Sequence, residues 1–147
     1  MHGIEQHKGR DKMKNLINFI FGTLLTEVVY FLGGYDIALQ TLLIFIVLDY
    51  LTGLCKAISQ KKVNSSIGAK GIIKKVGYLI VVAMSVFLDK TVGDTGAIRN
   101  IVIYFFVANE GISILENWGT MGLPLPKKIF DVLEQIRLEK GGGKNGE

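Results

Sequence analysis

Reactive groups are what this chain has least of. It holds one cysteine, Cys55, so no disulfide can close within it, and Cys55 falls in an apolar run where a small buried side chain is expected. The two histidines, His2 and His7, both stand in a polar N-terminal stretch. No metal-ligand spacing, serine elbow or phosphate-binding glycine loop occurs along the sequence. These gaps argue against an enzyme, and neither cofactor nor metal is expected.

What is present is apolar and clustered. Hydrophobic residues make up 49% of 147 residues and mean hydropathy is +0.37. The apolar residues gather into long runs separated by short polar, charged or glycine-rich joints, the pattern of an integral membrane protein. The net charge of +4 suggests nucleic acid only in a soluble domain. Here the basic residues flank apolar runs and the aromatics lie within or beside them, so nucleic acid is not an expected partner.

The sequence predicts an all-α membrane protein with about four transmembrane helices and a C-terminal amphipathic helix. A polar basic tail covers residues 1–15 and a transmembrane domain residues 16–115. Its spans lie near 16–32, 37–58, 76–92 and 98–115, each reaching roughly 26 to 33 Å against a hydrocarbon core of about 30 Å. The second is the clearest, since Leu42 to Leu48 is unbroken apolar sequence. Residues 116–147 form a turn, a cytoplasmic helix and a flexible tail. Loop charge tests the count. Lys8, Arg10, Lys12 and Lys14 precede the first span, and the turn Gly33-Gly34-Tyr35-Asp36 has no basic residue. Lys61, Lys62, Lys70, Lys74 and Lys75 fill the second joint without an acid, while Lys90 and Arg99 border the third. Four spans with both ends in the cytoplasm put 15 of 17 basic residues on the cytoplasmic side, and no three-span arrangement separates them as well. A secretory signal is the rival for the first segment, but that segment carries Glu27 and lacks a small-residue cleavage site.

Every span contains an acid: Glu27, Asp49, Asp89 and Glu110. A charge at the centre of a spanning helix costs about 2.5–3.5 kcal/mol on insertion scales, so such groups face protein or water. Asp89, near a segment end, is expected to reach the headgroups. Helical spacing puts Asp49, Thr52, Gly53 and Lys56 on one face, and Thr23, Thr26, Glu27 and Tyr30 on another. Asn109, Glu110, Ser113, Glu116 and Asn117 form a polar stripe, and Gly53 with Ala57 has the small-xxx-small spacing of close helix contacts. Glu27, Asp49, Thr52, Gly53, Lys56, Asn109, Glu110, Ser113, Glu116 and Asn117 are therefore candidates for oligomerisation or for facing a pore. The same faces would also serve to pack the helices of one monomer.

After the fourth span, Trp118-Gly119-Thr120-Met121-Gly122-Leu123-Pro124-Leu125-Pro126 is rich in turn residues, and its tryptophan suits a membrane interface. Ile129, Val132, Leu133 and Ile136 then make an apolar stripe opposite Lys128, Asp131, Glu134 and Arg137. The glycine-rich end is a flexible tail.

Three stretches together look familiar: Asp49-Tyr50-Leu51-Thr52-Gly53; Ser65-Ser66-Ile67-Gly68-Ala69-Lys70-Gly71 running into Lys74-Lys75; and Asn109-Glu110-Gly111-Ile112-Ser113-Ile114-Leu115-Glu116-Asn117, continuing to Gly122-Leu123-Pro124-Leu125-Pro126. Over roughly residues 37 to 137 this order resembles the phage holin family that includes the clostridial toxin-secretion holins. The resemblance implies a homo-oligomer in the bacterial cytoplasmic (inner) membrane that opens lesions for an endolysin or a secreted toxin, with the lipid bilayer as its other partner and no reaction catalysed. Some holins have two starts, the longer form inhibiting because its extra cationic end resists crossing the membrane. Met13 offers such a second start here, although the residues before it add a net charge of only +1. The competing classes are a small ion channel or transporter subunit, and a membrane anchor for a partner protein.

Overall fold

The structure, a computed structural model, describes residues 2–62, 65–124 and 126–140. Five helices make up the described chain: α1 (His2–Phe31), α2 (Ile37–Ser59), α3 (Ser65–Val92), α4 (Ala97–Thr120) and α5 (Lys127–Lys140). The only prolines, Pro124 and Pro126, lie between α4 and α5, so no ring interrupts a helix ladder.

Three of the helices, Ile37–Ser59, Gly68–Val92 and Ala97–Thr120, are long and apolar enough to cross a membrane. The segment 16–32 falls in α1, where Lys14, Asn15, Asn18 and Glu27 dilute the apolar residues, and it is not among the three. Two boundaries differ from those expected. α3 begins at Ser65 rather than near residue 76, which brings Lys70, Lys74 and Lys75 inside a helix. α1 continues as a helix back to His2 through the basic residues.

α4 is the centre of the bundle, with α2, α3 and α5 packed on it. The core joins Leu32, Ala38, Leu39 and Leu42 to Tyr78 and Val82 of α3 and to Ile103 and Phe106 of α4. Tyr78 and Phe106 stack with ring centroids 4.1 Å apart. Outside this core the helices present apolar side chains outward, among them Ile44, Val47, Leu51, Ile58, Ile73, Ile80 and Met84. So large an apolar surface is anomalous in water and ordinary against lipid tails. Cys55, expected to be buried, is on this outward face.

α1 stands apart. Its side chains from Arg10 to Val28 are all exposed, Glu27 included. Its last turn is what holds it: Leu32 is buried, the Phe31 and Phe87 rings lie 6.1 Å apart, and Lys90 sits 5.1 Å over the Tyr30 ring. Gly33, at φ +81°, ends the helix in the left-handed conformation that glycine adopts without strain.

Candidate functional site

Two polar clusters lie inside the bundle, near opposite ends of α4. The first is built from α2, α3 and α4. Asp49 and Thr52 share a face of α2 because they are one turn apart, and Lys56 follows one turn later. Lys75 reaches them from α3. Its ammonium donates to Asp49 Oδ2 at 2.7 Å and also to Glu110 Oε2 of α4. Asn117, two turns beyond Glu110, donates from Nδ2 to Asp49 Oδ1 at 3.3 Å and to Thr52 Oγ1 at 3.4 Å. Its own Oδ1 accepts from Lys56 Nζ at 3.2 Å.

Two carboxylates and two ammoniums are thus gathered around one amide, and the group is close to neutral as a whole. Glu110 is only 3% exposed, which a lone carboxylate could not sustain at this depth. Among the described residues no buried side-chain nitrogen or oxygen lacks a hydrogen-bond partner. Of the two uses open to these faces, packing one monomer or meeting another copy or a pore, Asp49 and Glu110 serve the first in this structure.

Of the expected site residues, Asp49, Thr52, Lys56, Glu110 and Asn117 meet here. Gly53 lies beside them, and a Cβ on it would stand 3.6 Å from Asn117 Nδ2, an ordinary contact. Ser113 lines a cavity of about 250 Å³ next to the network. Asn109 is half-buried and Glu116 exposed, and neither is bonded into the network, while Glu27 is out on α1. Lys75 is not among the expected residues because in the sequence it reads as loop charge. A signal existed: Lys75, Tyr78, Val82, Ser85 and Asp89 recur every three or four residues, so they mark one face of α3.

The second cluster ties the helix ends together at the opposite end, beside a recess of about 520 Å³ lined by Asp36, Asp89 and Arg99. Arg99, 6% exposed at the start of α4, donates from Nη1 and Nη2 to the two oxygens of Asp36 at 2.7 and 3.1 Å. It also donates from Nε to the Leu32 carbonyl at 2.6 Å and from Nη2 to the Gly34 carbonyl at 3.2 Å. The Asp36 carboxylate in turn accepts from Leu39 N and caps α2. Its pKa is lowered, chiefly by the hydrogen bond from Arg99. Asp89 does not reach for headgroups: it is 2% exposed and accepts from the backbone N–H groups of Ile98 and Arg99 at 3.0 and 2.7 Å. Burial is tolerated because two donors at a helix N-terminus meet its charge. Like Lys75, Arg99 reads in the sequence only as a loop charge.

A helical bundle with three membrane-capable helices, an apolar exterior and internal ion pairs defines a membrane protein. Its sequence family is also clear. The sequence model of the bacteriophage holin family matches residues 26–138, covering all three of those helices, and the chain belongs to that family. The family is one of non-enzymatic membrane proteins. Relatives include the 14.9 kDa protein in the nagH 3' region of Clostridium perfringens, 43% identical over 135 residues, which span 87% of this chain and all of that protein. A Clostridium acetobutylicum protein is 39% identical over 74% of this chain and 87% of its own length. The Bacillus subtilis protein YqxH is 34% identical over 85% of this chain and 89% of its own length. No solved structure matches the chain.

Proposed function

We propose that this protein is a phage-type holin that accumulates in the bacterial cytoplasmic membrane, self-associates and opens lesions through which an endolysin, or in a secretion role a toxin, passes. The observation that carries the reading is the family match, which covers every membrane-capable helix of the chain. Self-association is supported by α1. A helix exposing Phe19, Phe21, Leu24, Leu25 and Val28 together with Glu27 leaves an acid in an apolar surface that no side chain of the monomer covers. Glu27, Asn109 and Glu116, which stay outside the polar network, are the groups left for contacts between copies.

The topology belonging to this reading has four spans, the first being the 16–32 stretch of α1, with both termini in the cytoplasm. Lys56, Lys75 and Arg99 are bonded inside the bundle. Setting them aside leaves thirteen basic residues on the cytoplasmic side and Lys90 alone opposite, so the bias survives the correction. α5 then lies on the cytoplasmic surface as an amphipathic helix, with Ile129 and Val132 toward lipid or a neighbouring copy.

The test is induction in a bacterium with and without a cytoplasmic endolysin, following turbidity and membrane potential. Abrupt lysis that requires the endolysin is expected. Graded, ion-sized leakage without passage of folded protein would instead mean a small channel. Cysteine labelling checks the topology: residues 33–36 and 93–97 should react from outside, and residues 61–75 should not.

A further inference from the structure

The side of the bundle between α2 and α3 carries a recess that the polar network does not fill. At one end is the cavity of about 250 Å³, walled by Gly53 and Ala57 of α2 and by Gly68, Gly71 and Lys75 of α3, with Lys62 at its mouth. Gly68 and Gly71 would hold a Cβ with no atom within 4 Å. Tyr50 and Lys75 also line a second recess of about 430 Å³, which continues between Leu43, Ile46 and Val47 on one side and Ile72, Val76 and Leu79 on the other. One end is small and carries the polar and basic side chains among apolar walls, and the rest is almost wholly apolar. From Leu54 to Leu43 the floor runs about 16 Å along α2, close to one leaflet's half of a hydrocarbon core of about 30 Å.

We propose that this recess is a binding site for one anionic glycerophospholipid, its phosphate at the Lys62 end and an acyl chain along the groove between α2 and α3. The inference rests on the topology above, which sets the joint around residues 60–75 at the cytoplasmic face. Charge complementarity selects the occupant. Residues 60–75 contain five lysines and no acid. On the cavity wall Asp49 and Lys75 are bonded to each other and Lys75 also to Glu110, so Lys62 is the wall's cation for a headgroup. Basic pockets between membrane helices at the cytoplasmic side suit anionic headgroups, with each lysine near the surface contributing about 1 kcal/mol. A second copy's α1 would fit the groove less well. In the same topology its Arg10, Lys12 and Lys14 would arrive at the level of Lys61, Lys62, Lys70 and Lys74, like charge on like.

The test is native mass spectrometry of the full chain in detergent, titrated with phosphatidylglycerol or with phosphatidylcholine carrying the same chains. Phosphatidylglycerol should be retained at least about fivefold more tightly, the factor expected of a single lysine. Lys62→Ala, which removes a charge on the cavity wall, should weaken that retention by about fivefold, and Gly71→Leu, which sends a side chain into the open recess, should abolish the preference. Lys128→Ala on α5 should do neither. Equal retention of the two lipids, or retention indifferent to both variants, overturns the proposal. So does a disulfide between copies formed by Ile72→Cys with Phe19→Cys in a Cys55→Ser chain, since a neighbour's α1 would then occupy the groove. Binding is read in micelles, where there is no bilayer to breach. A chain that retains phosphatidylglycerol but never lyses cells therefore sinks the holin reading alone, and one that lyses cells yet ignores the lipid sinks the site alone.

Discussion

Arg99 and Lys75 solve the same problem, a cation buried among helices, in different ways. Arg99 spends its planar fork on fixed targets: both oxygens of Asp36, the Leu32 and Gly34 carbonyls, and through its own backbone N–H the Asp89 carboxylate. Those partners belong to the α1–α2 turn and to the end of α3, so one residue, by side chain and backbone together, fastens three helix ends. Lys75 instead divides a point charge between carboxylates on two other helices and borders an open cavity. Guanidinium geometry favours a rigid, directional joint, whereas an ammonium on a flexible stem tolerates adjustment of its partners. The difference teaches that one end of the bundle is fixed by directed bonds, while the other shares one charge between partners; both border accessible space, about 520 Å³ beside Arg99 and about 250 Å³ beside Lys75.

The comparison breaks most severely at Lys75. Lys75→Met leaves Asp49 and Glu110 buried without their shared cation, and should cost about 3–5 kcal/mol. Thermal unfolding in detergent, followed by circular dichroism, measures it. Adding Asp49→Asn and Glu110→Gln should restore much of the loss, and a triple variant as unstable as the single one would mean that packing, not charge, was lost.

At the other end Arg99→Lys keeps the charge but loses the fork, with an expected cost of about 1–3 kcal/mol. Gly33→Ala strikes the same joint from the other side, because its Cβ would stand 2.6 Å from Arg99 Nε at a φ of +81°. Since part of that clash is with the guanidinium, Gly33→Ala should cost less in an Arg99→Lys chain than in the parent. Additive losses would show the backbone angle to be the whole penalty.

Acid sharpens the contrast more gently. Asp36 has its pKa held below the ordinary 3.8 by Arg99, so the stability it contributes is fully present above about 3.8 and is lost as pH falls through the lower folded value. Unfolding midpoints of the parent and of Asp36→Asn should therefore run parallel from neutral pH down to about 4 and converge below it. Convergence at higher pH would assign the effect to another group. The smallest change is expected at Gly53→Ala, whose new methyl meets only an ordinary contact 3.6 Å from Asn117 and gains helix propensity of up to about 1 kcal/mol. A marked loss there would mean that helices approach that face more closely when copies assemble.

The sequence revealed faces better than partners. Spacing put Asp49, Thr52, Gly53 and Lys56 on one side of α2 and Glu110 with Asn117 on one side of α4, and the structure brings these sides together. Periodicity fixes which residues point the same way, but not which helix they meet, so the central place of α4 was out of reach. Lys75, Arg99 and Asp89 were misread for one reason. A charged residue near the end of an apolar run reads as a topology signal or a headgroup contact, and only a partner distant in sequence reveals otherwise. Arg99 and Asp36 are 63 residues apart, and Lys75 and Glu110 are 35 apart. The fourth span stayed open because α1 mixes apolar and polar residues in proportions that length and composition alone do not resolve.

The attachment of α1 by its final turn has a mechanical consequence. A rod of thirty residues is about 45 Å long, and pivoted at one end it converts a tilt of about 10° into a displacement of about 8 Å at the other. The Arg99 clamp is then the fulcrum, and the basic residues at the start of the rod are the load. Small rearrangements among neighbours packed along α1 would be amplified into large movements of its charged end, while the three helices around α4 stayed still.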